Sequence, residues 1–217
     1  MIITIDGPAG AGKSSVAKQL AHRLGFSFLD TGAMYRAVTW AALNQSVDIL
    51  DPVAVAAVAA NIQIQFEQER VLVDGQDVTQ AIREPEVTKS VSEIADNPEV
   101  REHLVMLQRE IAAEGNYVCE GRDQGTVVFP NAECKIYLTA SSSERAQRRY
   151  DQLVANGKIA SFEKILNEQE DRDRRDLMRP VGRLLKAEDA IELVSDAFTM
   201  DEIVERIQEI ARSKSSP

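Results

Sequence analysis

The stretch Gly7-Pro-Ala-Gly-Ala-Gly12-Lys13-Ser14 constrains this chain more than any other feature. Before it lies Met1–Ile5, a short apolar run rich in β-branched residues, which predicts a buried parallel strand. After it, Val16, Leu20 and Leu24 recur at helical spacing and Gly25 stops the run, so a helix is predicted over Lys13–Leu24. Strand, glycine-rich loop and helix in that order fit G-x-x-x-x-G-K-[ST], a loop that holds nucleotide phosphates. Glycines let the backbone curl until successive N–H groups point inward, and the helix adds its positive dipole end. Lys13 is placed to reach the β and γ phosphates, and Ser14 to ligate Mg2+. The competing reading, a chance glycine-rich turn, leaves the flanking strand and helix unexplained. The expected triphosphate-binding residues are Gly7, Pro8, Ala9, Gly10, Ala11, Gly12, Lys13, Ser14 and Ser15. Lys13 is also a catalytic candidate and Ser14 the metal ligand. The motif implies a triphosphate and leaves its acceptor open.

The rest of the chain continues an α/β rhythm. Short strands are predicted at Phe26–Leu29, Tyr117–Glu120, Lys135–Leu138 and Ala190–Val194. Helices are predicted at Ala33–Leu43, Val53–Ala60 behind Asp51-Pro52, Glu86–Ala95 and Pro98–Glu114. Ser141-Ser-Ser-Glu144 has capping-box form, Asn156-Gly157 breaks the helix it starts, and Ser161 caps the next. Thr199-Met-Asp-Glu202 caps a last helix, and the tail Ala211–Pro217 is expected to fray. One region departs from the rhythm. Ile62, Ile64 and Phe66 alternate with Gln63 and Gln65, Val71-Leu-Val73 follows, and then Asp74-Gly75. Alternation with a DG turn predicts antiparallel strands over roughly 62–85. The fold expected is α/β: a phosphate-loop, three-layer arrangement of a parallel sheet flanked by helices, with a small antiparallel β insertion near the acceptor site and a helical lid. One domain over 1–217 is expected, with the insertion as a whole at about 62–95 and the lid at about 141–183. Ligands of such sheets sit at the carboxyl ends of the strands, which nominates loops 6–13, 30–36, 120–126 and the segment after 138.

Charge narrows the partner. Lysine and arginine total 25 against 35 acidic residues, a formal charge of -10, so a nucleic-acid polymer is not the expected ligand. No apolar stretch approaches a membrane span, and MIITIDGPAG lacks the form of a signal peptide. Cys119 and Cys134 sit in apolar runs without metal-ligand spacing and read as buried thiols of a reducing compartment. The cytoplasm is the expected setting, and a monomer the expected state.

Yet this acidic chain places eight of its 17 arginines between residues 145 and 183. Arg145, Arg148 and Arg149 share one helical face, as do Arg172, Asp176 and Arg179. The bland explanation is a surface hairpin laced with Arg–Asp pairs. The alternative is a lid whose cations close over phosphates. Arginine binds phosphate bidentately and stays charged, and phosphoryl transfer between two phosphates gathers negative charge that cations must stabilise. An ionised phosphate acceptor needs no strong general base. His22 and His103 accordingly read as ordinary helix residues.

The motifs together resemble the bacterial cytidylate (CMP/dCMP) kinases. They are IDGPAGAGKSS, LDTGAMYRAV, PEVREHL, EGRDQGTVVFPNAECKIYLTAS, ERAQRR, and RDRRDLMR followed by KAEDAIEL, in the family's order across nearly the whole chain. The resemblance implies transfer of the γ-phosphoryl group of ATP to CMP or dCMP with Mg2+. It implies that Thr31, Arg101 and Asp123 read the cytosine and that Arg36 and Arg122 hold the monophosphate. Arg172 and Asp176 would approach the sugar, Arg179 the phosphates, Arg148 the ATP, and Ser92 the sugar by spacing. Tyr35 belongs to the same acceptor loop. Lys13, Arg122, Arg148 and Arg179 are the catalytic set so implied. The sequence departs from the family at Leu177, at Gly182-Arg183-Leu184 and at Val194-Ser195-Asp196. Other small-molecule phosphate-loop kinases, of dephospho-coenzyme A or shikimate type, lack the paired DTGAMYR and GRDQG loops. A non-catalytic nucleotide-binding module would not need the acceptor-side arginines.

Overall fold

The computed structural model describes residues 1–67 and 69–215. The chain forms two compact units, Met1–Leu29 with Glu114–Pro217, and Asp30–Ala113.

The first unit carries a five-stranded sheet in the order β2-β6-β1-β7-β8. Its strands are β1 (Ile2–Asp6), β2 (Ser27–Asp30), β6 (Tyr117–Gly121), β7 (Cys134–Thr139) and β8 (Ile191–Val194). β1 pairs in parallel with both β6 and β7, and β7 with β8. Ile3, Ile5, Ile136 and Leu138 are buried, as expected of strands covered by helices. Val16 and Leu20 of α1 (Lys13–Leu24) and Val204 and Ile207 of α8 (Met200–Ser215) complete this core. The central position of β1 matters for function, because its carboxyl end launches the phosphate loop from the middle of the sheet. α1 stops at Gly25, whose φ of 68° lies in the left-handed region open to glycine. Cys119 and Cys134 are free and buried, and burial pushes their thiols up to about 12 and about 11.

The remaining helices of this unit are α6 (Ser142–Ala155) and α7 (Phe162–Met178). The predicted capping box at α6 is half made. Ser141 Oγ accepts from the Glu144 amide at 3.2 Å, but Glu144 turns to Arg148 and the Ser141 amide donates to Asp196 instead. At α8 the box closes fully: Thr199 N and Oγ1 both donate to Glu202, whose amide donates back to Thr199 Oγ1. That helix continues to Ser215, past the start of the tail expected to fray; Ser216 and Pro217 lie outside the described residues.

The second unit contains α2 (Thr31–Asn44), α3 (Pro52–Asn61), α4 (Pro85–Asp96) and α5 (Pro98–Ile111) around the antiparallel sheet β3-β4-β5. β3 (Ile64–Glu67) and β4 (Arg70–Val73) pair with Ile64 opposite Val73, and β5 (Gln76–Asp77) follows the Asp74-Gly75 turn. Asp74 and Gly75 have φ of 50° and 79°, the positive pair that a tight two-residue hairpin requires. α2 begins two residues earlier than its apolar pattern predicts, because Asp30 caps it by accepting from the Ala33 amide at 2.9 Å. A 3-10 turn, Ala81–Arg83, occupies the end of the stretch expected to be β.

Candidate active site

The phosphate loop is shaped by its glycines. A Cβ on Gly7 would stand 1.9 Å from the Leu138 carbonyl oxygen, so only glycine lets β1 turn out of the sheet there. Gly10 and Gly12 have φ of 80° and 90°, again in glycine's region. Gly12 caps α1 with no side-chain hydrogen bond. The first amides of the helix are thereby left to an anion.

Lys13 is buried and donates to the Pro8 carbonyl at 2.8 Å. Burial, then the guanidinium of Arg122, pushes its ammonium down to about 7. Arg172 adds to that repulsion, while Glu120 and Asp6 oppose it. Ser14 Oγ donates to Glu120 Oε1 at 2.5 Å. Its proton spent, the hydroxyl keeps oxygen lone pairs for a cation, and the carboxylate stands beside it. This donor set suits Mg2+, which prefers oxygen ligands. Ser14 would hold the ion directly, and Glu120 would orient Ser14.

At the carboxyl end of β6, Arg122 donates through Nε to Asp176 Oδ2 at 2.8 Å. Arg179 Nη2 donates to Asp176 Oδ1 at 3.0 Å. Asp176 is buried; burial raises its carboxyl, but Arg122, then Arg179 and Arg172, hold it below the usual carboxylate range. One carboxylate therefore organises two guanidiniums from separate segments. Arg179 is the residue after α7 rather than a member of it. Asp123 is buried and ends at a single π-helical turn, Gln124–Val128, where the sequence showed only a loop. That turn is held by Asp6, whose two oxygens accept from the Gln124 and Gly125 amides at 2.8 and 2.7 Å. Burial pushes the Asp6 carboxyl up to about 7 against those two hydrogen bonds.

The arginines of α6 divide. Arg148 reaches Glu144 at 3.2 Å, Ser195 Oγ at 3.0 Å and the Ser195 carbonyl at 3.1 Å. Arg149 is exposed and donates to Gln152. Arg145 is buried and pairs with Asp173 at 2.6 Å. Along α7, Asp171 and Arg174 pair with each other in solvent, and Arg175 is exposed. Asp173 turns inward to Arg145.

In the second unit, Arg36 Nη2 donates to Asp30 Oδ2 at 3.1 Å, and its buried Nε has no hydrogen-bond partner among the described residues. Arg83, from the 3-10 turn, lies 3.6 Å from the same carboxylate oxygen. Thr31 and Arg101 are buried. Arg101 donates to the Ala95 carbonyl at 3.2 Å, and its guanidinium carbon lies 5.4 Å from the centre of the Tyr35 ring. Ser92 is half-buried on α4.

Sequence reasoning passed over Asp6, Glu120, Arg83 and the pairing of Arg145 with Asp173, although it counted Arg145 among the lid cations. Asp6 and Glu120 carried a legible signal, since each is an acidic residue ending an apolar strand. The others carried none.

A parallel sheet with a glycine loop, a buried lysine and a hydroxyl at the head of α1 defines a phosphate-loop nucleotide-binding protein. The family model described as cytidylate kinase matches residues 3–213. A cytidylate kinase from Rhodopirellula baltica is 50% identical over 212 residues, covering 98% of this chain and 93% of that protein. A cytidylate kinase from Desulfitobacterium hafniense is 48% identical over 215 residues, covering 98% and 93%. A bifunctional pantoate ligase/cytidylate kinase from Synechococcus elongatus is 47% identical over 222 residues, and this chain spans 42% of its length. Two solved structures share the fold at lower identity. A protein from Eubacterium ventriosum has a TM-score of 0.55 at 13% identity, covering 98% of this chain and 99% of that one. TT1252 from Thermus thermophilus has 0.51 at 19%, covering 100% and 98%. The chain belongs to the cytidylate kinase family and is an enzyme, a kinase. No helix among the described residues is long and apolar enough to cross a membrane.

Proposed function

We propose that the protein transfers the γ-phosphoryl group of ATP to CMP or dCMP, giving ADP and the cytidine diphosphate. The observation that carries this reading is the gathering of Arg122 and Arg172 near the buried Lys13 of the phosphate loop, with Asp176 fixing Arg122 and Arg179. Arg122 and Arg172 both disfavour the Lys13 ammonium, and incoming phosphate groups would offset that repulsion.

The loop amides and Lys13 hold the β and γ phosphates. Mg2+, when bound at Ser14, neutralises charge on the transferring group. Arg122 commits Nε to Asp176 and one Nη1 hydrogen to the Gly121 carbonyl, which leaves hydrogens to bridge donor and acceptor phosphates. Arg179 and Arg148 stabilise the spreading charge from the lid side, residues 141–183. Arg36 exchanges Asp30 for the acceptor phosphate. Thr31, Arg101 and Asp123 pair with the amino, N3 and O2 groups of cytosine, and Tyr35 stacks on Arg101 to hold it in place. Arg172, Asp176 and Ser92 serve the sugar. A base that reverses the donor pattern would leave these groups unpaired, so UMP is a poor substrate. The two buried, unpaired thiols support a reducing, cytoplasmic setting. The protein acts as a monomer on these small molecules, with no nucleic-acid polymer or membrane partner.

A coupled assay with ATP and CMP, dCMP, UMP, AMP or shikimate tests the reading. CMP or dCMP is expected to lead, and an advantage for UMP, AMP or shikimate would overturn it. Arg122→Ala is expected to lose at least ~2–3 kcal/mol in kcat/KM, and an unchanged value would remove its phosphate role.

A further inference from the structure

Arg145 spends most of its guanidinium hydrogens inside the protein. Nε donates to the Ala140 carbonyl at 3.1 Å and Nη1 to the Ala9 carbonyl at 2.8 Å. Nη2 serves Ser142 Oγ at 3.2 Å and Asp173 Oδ2 at 2.6 Å. The residue is 3% exposed. To swing toward a phosphate it would have to break several of these bonds inside the protein.

Its contact with Ala9 has a geometric consequence. No peptide bond among the described residues is cis, and in a planar trans peptide the N–H points opposite to the preceding C=O. Holding the Ala9 carbonyl toward α6 therefore turns the Gly10 N–H to the other side, away from α6. The packing agrees: a Cβ on Gly10 would meet Arg145 Cβ at 3.2 Å and Gln169 Nε2 at 3.1 Å, so α6 and α7 back the outer face of the loop. Gln169 in turn donates to the Arg145 carbonyl at 3.3 Å.

We propose that Arg145 is a positioning residue for the phosphate loop: it fixes the Ala9–Gly10 peptide with the Gly10 N–H presented to the triphosphate, while Asp173 ties that peptide to α7. The arrangement of the α6–α7 hairpin and the readiness of the loop are then set by one side chain. The inference rests on the proposed use of the loop for ATP and not on the identity of the acceptor.

The test uses Arg145→Lys, Asp173→Asn and, as control, Arg149→Ala. A lysine keeps the charge but cannot serve the Ala140 and Ala9 carbonyls together. The expected result is a rise of about tenfold in KM for ATP and in Kd for ADP in Arg145→Lys, since a charge-assisted bond that orders the loop is lost. KM for CMP should stay within about twofold, Asp173→Asn should show a smaller effect of the same sign, and Arg149→Ala none. In the wild type, ADP should shift the Gly10 amide resonance, and that shift should shrink in Asp173→Asn. The proposal is overturned if Arg145→Lys binds ADP like the wild type, or if both KM values rise together. Should Arg145→Lys fail to fold, an unaltered Gly10 shift in Asp173→Asn overturns it alone. Absence of CMP phosphorylation by the wild type would refute the proposed function, whereas the ADP titration would still judge Arg145.

Discussion

Lys13 illustrates how a site can hold a charge it cannot stabilise by itself. Burial and Arg122 bring its ammonium down to about 7, so at pH 8 the nucleotide-free protein carries mostly the neutral amine. A polyphosphate reverses the balance and favours the ammonium. ADP binding at pH 8 should therefore take up close to one proton at Lys13. Calorimetry in two buffers of different ionisation enthalpy measures this, with Lys13→Arg as reference, because a guanidinium is already protonated. Equal proton uptake by the two proteins would contradict the assignment. Gly7 and Gly25 separate steric need from conformational preference. Both have positive φ, but only at Gly7 does a Cβ meet backbone, the Leu138 oxygen at 1.9 Å; at Gly25 nothing lies within 4 Å. Gly25→Ala should cost about 1 kcal/mol in urea unfolding, and Gly7→Ala well over twice that, with loss of ADP binding. Equal costs would show that the loop can shift away from Leu138. Neither difference was visible from sequence, where the two glycines carry the same letter.

At the level of elements, helix starts were the most legible part of the chain. Asp51-Pro52 announces α3, and Asp51 accepts from the amides of Val53 and Ala54 at 3.0 and 3.1 Å. Asp51→Ala should lower stability by about 1 kcal/mol, measured by denaturant unfolding, and a change under ~0.3 kcal/mol would mean water replaces the cap. Local chemistry of that kind lies within a few residues and can be read directly. The π-helical turn after Asp123 cannot, because it is imposed from Asp6, more than a hundred residues away in sequence. The capping box at Ser141 starts α6 as expected but is only half made. Its amide and its glutamate each found a better partner elsewhere, Asp196 and Arg148. In DRDRRDLMR, helical spacing predicts Arg172, Asp176 and Arg179 on one face, but α7 ends at Met178 and Arg179 meets Asp176 from the residue beyond it. Spacing could not say that Asp173 would reach Arg145.

For the molecule as a whole, buried charges should write a signature into its pH stability. Burial raises the Asp6 carboxyl in the folded protein to about 7, from an ordinary value of 3.8. Between those values the native state keeps a proton that the unfolded chain gives up, so this contribution weakens as pH rises toward 7. Lys13, lowered to about 7 from 10.5, has the opposite slope above 7, where stability recovers as pH rises. The unfolding free energy of the wild type relative to Asp6→Asn should therefore increase as pH is lowered from 8 to 5 in the nucleotide-free protein. A pH-independent difference would mean that Asp6 is ionised throughout, held by its two amide bonds. By itself the sequence determined the α/β class, the phosphate loop and the antiparallel hairpin, because periodicity, glycine spacing and capping are local. Only the tertiary structure decided which charges meet. Asp176 joins Arg122 to Arg179, Arg145 is spent on the loop backbone, and Arg36 and Arg83 converge on Asp30. Those pairings depend on where the chain returns to, and their energies on burial, neither of which a one-dimensional pattern contains.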